Sequence, residues 1–415
     1  MTQLVDAPES VGMNAERLER IRPVMQRYVD QNGYAGISTM VARRGKIVYS
    51  DQVGWQDKEA GVAMADDTIF RIYSMTKPII YTALMTLYEE GKFSLLDPVA
   101  KFIPAFAATK VLQGDGSLAD QNPLRPIQVR DLMTHCSGLS YDFLEDFPVG
   151  QMYREARLMN DATRTLEGVI DELARIPLAF HPGSQWHYSL GTDVAAHLIQ
   201  VISGQPLGQF LQERMFRPLG MEDTAFGVSP EKRSRLAAMY GLPDLFEQGM
   251  TFSALFGHFA SGNSGRREVA DTYPVDTPDV FLRGGIGLFS TAADYTRFAT
   301  MLLTGKAEDG TRIIGRKTLE LMHTNHLPAE LLPYSIAGIP TLGYGFGLGS
   351  RVCSDIGATA VAGSAGEFGW AGAAKTYYWV DPREELVGVF MTQYMVGFDL
   401  PENDLRALVY QAIED

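Results

Sequence analysis

The chain has 415 residues, 46% hydrophobic and 21% charged, which excludes disordered and fibrous classes and leaves room for one large core or two sub-domains. Its formal charge of −14 argues against nucleic acid or an anionic membrane as partner, since both require a basic surface, and leaves a small or neutral substrate. Two cysteines, Cys136 and Cys353, are too few for a disulfide scaffold, and no Cys/His pairing has metal-ligand spacing, so neither a metal nor another cofactor is expected.

Residues 1–9 show neither a basic stretch nor an apolar one, and no later run approaches the roughly 18 apolar residues of a membrane span; a cytoplasmic protein is expected. Asn14 caps a predicted helix with Leu18, Ile21, Met25, Tyr28 and Val29 at helical spacing, running to Gly33 with a kink at Pro23. Residues 37–42 and 47–53, joined by Arg43-Arg44-Gly45-Lys46, read as a hairpin that begins an antiparallel sheet.

The stretch Phe70-Arg71-Ile72-Tyr73-Ser74-Met75-Thr76-Lys77-Pro78 sets a hydroxyl and an amine one helical turn apart. Residues at i and i+3 share a helix face, so a desolvated Lys77 amine reaches the Ser74 hydroxyl and serves as its base. Pro78 belongs in a first helical turn, which starts the helix near Ser74 and leaves free N–H groups there to favour developing negative charge. Ile79, Ile80, Ala83, Leu84 and Leu87, closed by Gly91, make this a buried and rigid helix. Ser229-Pro230-Glu231-Lys232 repeats the spacing without an apolar helix behind it and reads as a surface turn.

Residues 97–283 are predicted to form an inserted, mainly helical domain, and 1–96 with 284–415 an α/β domain of sheet and helices. Within the insert, 127–135 and 191–203 read as helices, and Thr134 to Tyr141 as a turn whose His135 is a structural hydrogen-bonder rather than a base. Near Gly284-Gly285-Ile286-Gly287-Leu288-Phe289-Ser290 strands return, followed by a helix over 292–303. Residues 344–348, 376–380 and 386–394 read as further strands and 405–413 as a terminal helix. One antiparallel sheet built from both chain ends, flanked by helices, follows from this order: an α+β fold of the α/β-sandwich type.

Two more stretches carry chemistry. Pro182-Gly183-Ser184-Gln185-Trp186-His187-Tyr188-Ser189-Leu190-Gly191 offers a tyrosine in a turn before a helix, a usable proton shuttle if the Lys77 ammonium lowers its pKa. Residues 363–373 are glycine-dense before a strand, where backbone N–H groups can complete an oxyanion hole.

With these segments and Gly91-Lys92-Phe93-Ser94-Leu95-Leu96-Asp97-Pro98-Val99, the chain resembles, over nearly its whole length, the serine β-lactamase and penicillin-binding-protein superfamily. It looks most like the family VIII carboxylesterases within it. The resemblance implies a β-lactamase/transpeptidase-like fold, with catalytic Ser74 and Lys77 at Ser-x-x-Lys and Tyr188 at Tyr-x-Asn. It also implies an oxyanion hole of the Ser74 and Ala373 N–H groups. Leu190 replaces the lactamase Asn, and Trp370-Ala371-Gly372 replaces Lys-Thr-Gly, so the substrate-binding positions lack the polar handles for a β-lactam. Lys375-Thr376 is read as lying inside a strand, away from that entry. Met250, Phe252, Leu255, Phe256 and Phe259 offer either an apolar acyl pocket or ordinary core. The expected activity is hydrolysis of short- to medium-chain esters through an acyl-enzyme. Its alternatives are acyl transfer, as in the fungal statin side-chain acyltransferases the chain also resembles, or weak β-lactamase or D-amino-acid peptidase activity. A non-catalytic penicillin-binding-like module is disfavoured by the intact Ser74, Lys77 and Tyr188. The oligomeric state is left open.

Overall fold

The computed structural model describes residues 6–31, 33–112 and 122–415, so part of the stretch 1–9 lies outside the described residues. Two helices, α1 (Ala15–Leu18) and α2 (Ile21–Gln31), stand where one was expected. Asn14 is the cap, its side chain accepting from Arg17 N at 2.9 Å. The helix breaks at residues 19–20 rather than kinking at Pro23, which puts the proline in the first turn of α2, where its missing N–H loses no hydrogen bond.

The hairpin forms from β1 (Gly36–Arg43) and β2 (Lys46–Asp57), turning at Arg44 and Gly45 with φ of 51° and 78°. Such a left-handed pair matches the twist of the strands. The short β3 (Val62–Ala63) pairs with β2, and the C-terminal part supplies β4 (Tyr344–Phe346), β5 (Arg351–Cys353), β6 (Phe368–Ala371), β7 (Tyr377–Asp381) and β8 (Leu386–Met391). They form one antiparallel sheet in the order β4-β5-β6-β7-β8-β1-β2-β3, closed in its middle by β8 against β1. The strand expected over 386–394 stops at Met391, and 284–290 yields only Phe289–Ser290, which pairs with Phe70–Arg71. The glycine-dense segment itself contains β6.

The longer helices are α3 (Thr76–Glu89), α4 (Gly191–Ser203), α5 (Phe252–Ala260), α6 (Ala292–Thr304) and α7 (Pro401–Tyr410). The last begins earlier than expected because Pro401 suits a first helical position. Side chains alternate across the sheet with period two. Ile37, Val41, Tyr377, Trp379 and Phe390 pack under α1, α2 and α7. Met40, Tyr378, Val387 and Val389 face α6, and the same buried cluster continues through α3 into α4. No helix among the described residues is long and apolar enough to cross a membrane.

Gly388 pairs with Trp379 on the adjacent strand, and the Trp379 indole lies where a Cβ on residue 388 would stand. Gly388→Ala is therefore expected to cost about 1–3 kcal/mol through overpacking. The measurement is the thermal-unfolding midpoint, and an unchanged value would show that the indole moves aside freely.

Candidate active site

The segment before α3 is pinned from several sides. Phe70–Arg71 is held by its strand partner, and a 3-10 turn, Tyr73–Met75, leads into the helix at Thr76. Tyr73 has φ of 44°, a left-handed conformation that costs a bulky residue about 1–3 kcal/mol. Its surroundings enforce it: Tyr73 Oη donates to Asp244 Oδ2 at 3.2 Å, and its ring packs on Phe246 and Tyr273. Ser74 follows directly, and α3 is buried continuously from Thr76 to Leu87.

Lys77 Nζ donates to Ser74 Oγ at 3.1 Å and to the Gly285 carbonyl at 2.8 Å. Tyr188 Oη donates to Ser74 Oγ at 2.8 Å. The turn before α4 thus brings its tyrosine onto the same oxygen that the helical lysine touches. Burial pushes the Lys77 ammonium down to about 7, against an opposing pull from the Asp193 carboxylate. Burial pushes the Tyr188 phenol up instead, so the expected lowering by Lys77 is reversed: the lysine, not the tyrosine, changes state near neutrality.

Asp193 had no signal in the spacing motifs, although it is the one acid in a largely apolar helix, which is a usable cue. It is fully buried; Oδ1 accepts from Gly285 N at 3.3 Å and Oδ2 lacks a hydrogen-bond partner. A Cβ on residue 285 would lie 2.6 Å from Tyr141 Oη and 2.8 Å from Asp193 Oδ2, so only glycine lets this backbone approach Lys77.

The turn between β6 and β7 is tied to the nucleophile segment by Thr376 Oγ1, which donates to Ile72 O at 3.1 Å. Lys375 lies in that turn with φ of 62°, not inside a strand, and its amine meets Asp399 O and Glu402. Among the described residues neither the Ser74 nor the Ala373 N–H has a protein acceptor, which leaves both amides available to an oxyanion. Ser74, Tyr188, Trp370, Ala371, Gly372 and Ala373 line one cavity of about 300 Å³. Leu190 does not line it: its side chain is wholly buried at the start of α4. Of the suggested acyl-pocket residues, Phe252 lines the cavity, Met250 and Leu255 are core, and Phe256 and Phe259 are exposed against Phe398. The apolar wall comes instead from Tyr141, Phe143, Leu245, Phe246 and Tyr334.

His135 is buried beside this site with φ of 56°, its Nδ1 3.2 Å from Ser189 Oγ, and burial lowers its pKa so that the ring stays neutral. Ser229 and Lys232 sit on an exposed turn, with Lys232 paired to Asp223 at 2.8 Å.

The family model described as beta-lactamase matches residues 21–411. The chain belongs to the beta-lactamase family. Protein Rv1367c of Mycobacterium tuberculosis (strain ATCC 25618 / H37Rv) is 35% identical over 366 residues, covering 87% of this chain and 86% of that protein. Esterase EstB of Burkholderia gladioli is 29% identical over 393 residues, covering 90% of each. The solved structure of EstCE1, described as a hydrolase with promiscuous acyltransferase activity, aligns at a TM-score of 0.78 and 26% identity, covering 95% of this chain and 99% of that one. These family members share the fold and leave the chemistry to be argued from the side chains.

One lysine should titrate with a midpoint of about 7 in 13C NMR of protein labelled at the lysine Cε, and its signal should vanish in Lys77→Met. Asp193→Asn removes the charge that favours the ammonium and should move that midpoint lower. A midpoint that rises or stays would show that Asp193 exerts no field on the amine.

Proposed function

We propose that this member of the beta-lactamase family is a serine ester hydrolase that forms an acyl-enzyme on Ser74. The observation that carries the reading is the meeting of Lys77 Nζ and Tyr188 Oη on Ser74 Oγ at the wall of a mostly apolar cavity. The neutral form of Lys77 takes the Ser74 proton as Oγ adds to the ester carbonyl, and the Ser74 and Ala373 N–H groups hold the oxyanion. The C–O bond to the alcohol then breaks, and Tyr188, a phenol kept protonated by burial, gives its proton to the departing oxygen. The Lys77 ammonium restores that proton to Tyr188. Water adds to the acyl group with the same pair as base, and Ser74 leaves with its proton.

EstB is named an esterase, and its likeness over 90% of the chain supports ester cleavage here. Acyl transfer, with an alcohol replacing water, is the second reading and is favoured by the EstCE1 likeness. Cleavage of β-lactams or D-amino-acid peptides stands third, because no cation or amide occupies Leu190 or the Trp370-Ala371-Gly372 segment. We take 97–283 as a helical cover that delivers Tyr188 to a nucleophile carried by the remainder of the chain. The two buried thiols, Cys136 and Cys353, fit a reducing cytoplasm.

Ser74→Ala should reduce kcat for p-nitrophenyl butyrate by several orders of magnitude with the circular-dichroism spectrum unchanged, and retention of more than about a tenth of the activity would overturn the assignment. Lys77→Ala and Tyr188→Phe should each approach that loss, and the double variant should be little worse than either, because one proton-transfer unit is being removed. In the wild type, kcat/KM should rise as pH passes about 7, where Lys77 loses its proton and becomes able to accept one. A flat profile across that range would remove Lys77 as the base.

A further inference from the structure

Arg351, on β5, lines the same cavity as Ser74 and has no carboxylate within ion-pair distance among the described residues. In a chain of net charge −14 such an uncompensated cation needs a reason. Its guanidinium is held in place: the carbon lies 4.9 Å from the Tyr344 ring centroid and 5.0 Å from that of Tyr377, and Nη2 donates to Tyr377 Oη. Tyr377 Oη also receives Arg406 Nη1 at 3.1 Å, so two guanidiniums converge on one phenolic oxygen. Of the carboxylates in this cluster, Glu367 is already committed to Arg406 through both oxygens, at 2.5 and 2.6 Å, and Asp381 accepts from Tyr410 Oη at 2.8 Å and from the Arg383 amide at 3.0 Å. The other cation of the cavity, Lys375, is offset by Glu402 at 3.4 Å. Beside Arg351, Tyr334 lines the cavity with a buried hydroxyl whose polar neighbour is the Thr341 side chain, beyond ordinary hydrogen-bond geometry.

We propose that this wall binds an anionic group carried by the substrate, a carboxylate, with Arg351 as its charge partner and Tyr334 Oη as a second donor. The proposal rests on the ester-hydrolase reading for its turnover and deepens it by naming the substrate class: esters of a dicarboxylic acid or of a hydroxy acid. A planar guanidinium fixed between two rings loses little freedom on meeting a carboxylate, and charge-assisted bonds at such sites are among the strong ones. Neither carboxylate of the cluster pairs with Arg351, whose charge meets only tyrosine rings and a phenolic oxygen on its protein side.

The test compares kcat/KM for two pairs of esters that differ only in charge. p-Nitrophenyl hydrogen glutarate against its methyl-capped form puts the carboxylate on the acyl side. 4-Acetoxybenzoate against its methyl ester puts it on the alcohol side. One pair should favour the anion by about tenfold or more, a preference that shrinks at high salt. The ratio should fall about tenfold in Arg351→Met, fall less in Arg351→Lys, and also drop in Tyr334→Phe, each verified as folded by thermal unfolding. No anion preference in either pair, or a ratio untouched by Arg351→Met, would overturn the proposal. Calorimetric binding of glutarate and 4-hydroxybenzoate to Ser74→Ala separates the two readings. Binding lost on adding Arg351→Met, with no ester turned over by the wild type, would uphold the anion site and sink the hydrolase. Turnover of p-nitrophenyl butyrate with no such binding would do the reverse.

Discussion

A buried amine whose proton affinity is brought near neutrality, held against a hydroxyl, is the constraint around which the other features of the site fall into place. Lys77 cannot be both buried and charged without cost, and the structure keeps its proton affinity near neutrality by balancing burial against Asp193 and the Gly285 carbonyl. That balance dictates several residue types. Residue 285 must be glycine for the backbone to come close, α3 must be buried on every side, and the strained Tyr73 must be braced by Asp244 and two aromatic rings. The bracing comes from segments near residues 244–246, 273 and 285, so the nucleophile is positioned by distant parts of the chain rather than by its own helix alone.

Local spacing carried the parts of this that are local. Ser74 and Lys77 sit one turn apart, and Asn14, Gly91 and the Arg44-Gly45 turn punctuate elements through chemistry that acts within a few residues. Tyr188 was legible as a tyrosine between a turn and a helix, but the direction of its pKa was not, because burial depends on neighbours from α3, β6 and the Tyr141 turn. Asp193 and Arg351 were missed for the same reason: a lone charge in a sequence reads as solvated until tertiary packing removes the water around it. Leu190 shows the converse. Its correspondence to a family position suggested contact with substrate, yet its apolar side chain turns into the core.

At the sheet's edge, short strands were the hardest to foresee. β5 spans only Arg351–Cys353 and β6 only Phe368–Ala371, lengths at which alternation gives little contrast. Both strands matter chemically, since β5 carries Arg351 and β6 ends at the amides beside Ser74. The cavity is thus built where the periodic signal fades, between a rigid buried helix and irregular edge structure whose side chains set what enters.

The pairing of β1 with β8 joins Arg43 to Leu386, so the middle of the sheet cannot close until almost the entire polypeptide exists. At about 5–20 residues per second of ribosomal synthesis, the early hairpin waits tens of seconds with one edge unpaired. That strand bears Ile37 and Val41 on one face and Met40 on the other, apolar side chains open to neighbouring nascent chains. The yield of this enzyme in a cell is consequently tied to chaperone supply and translation speed more closely than its final stability would indicate.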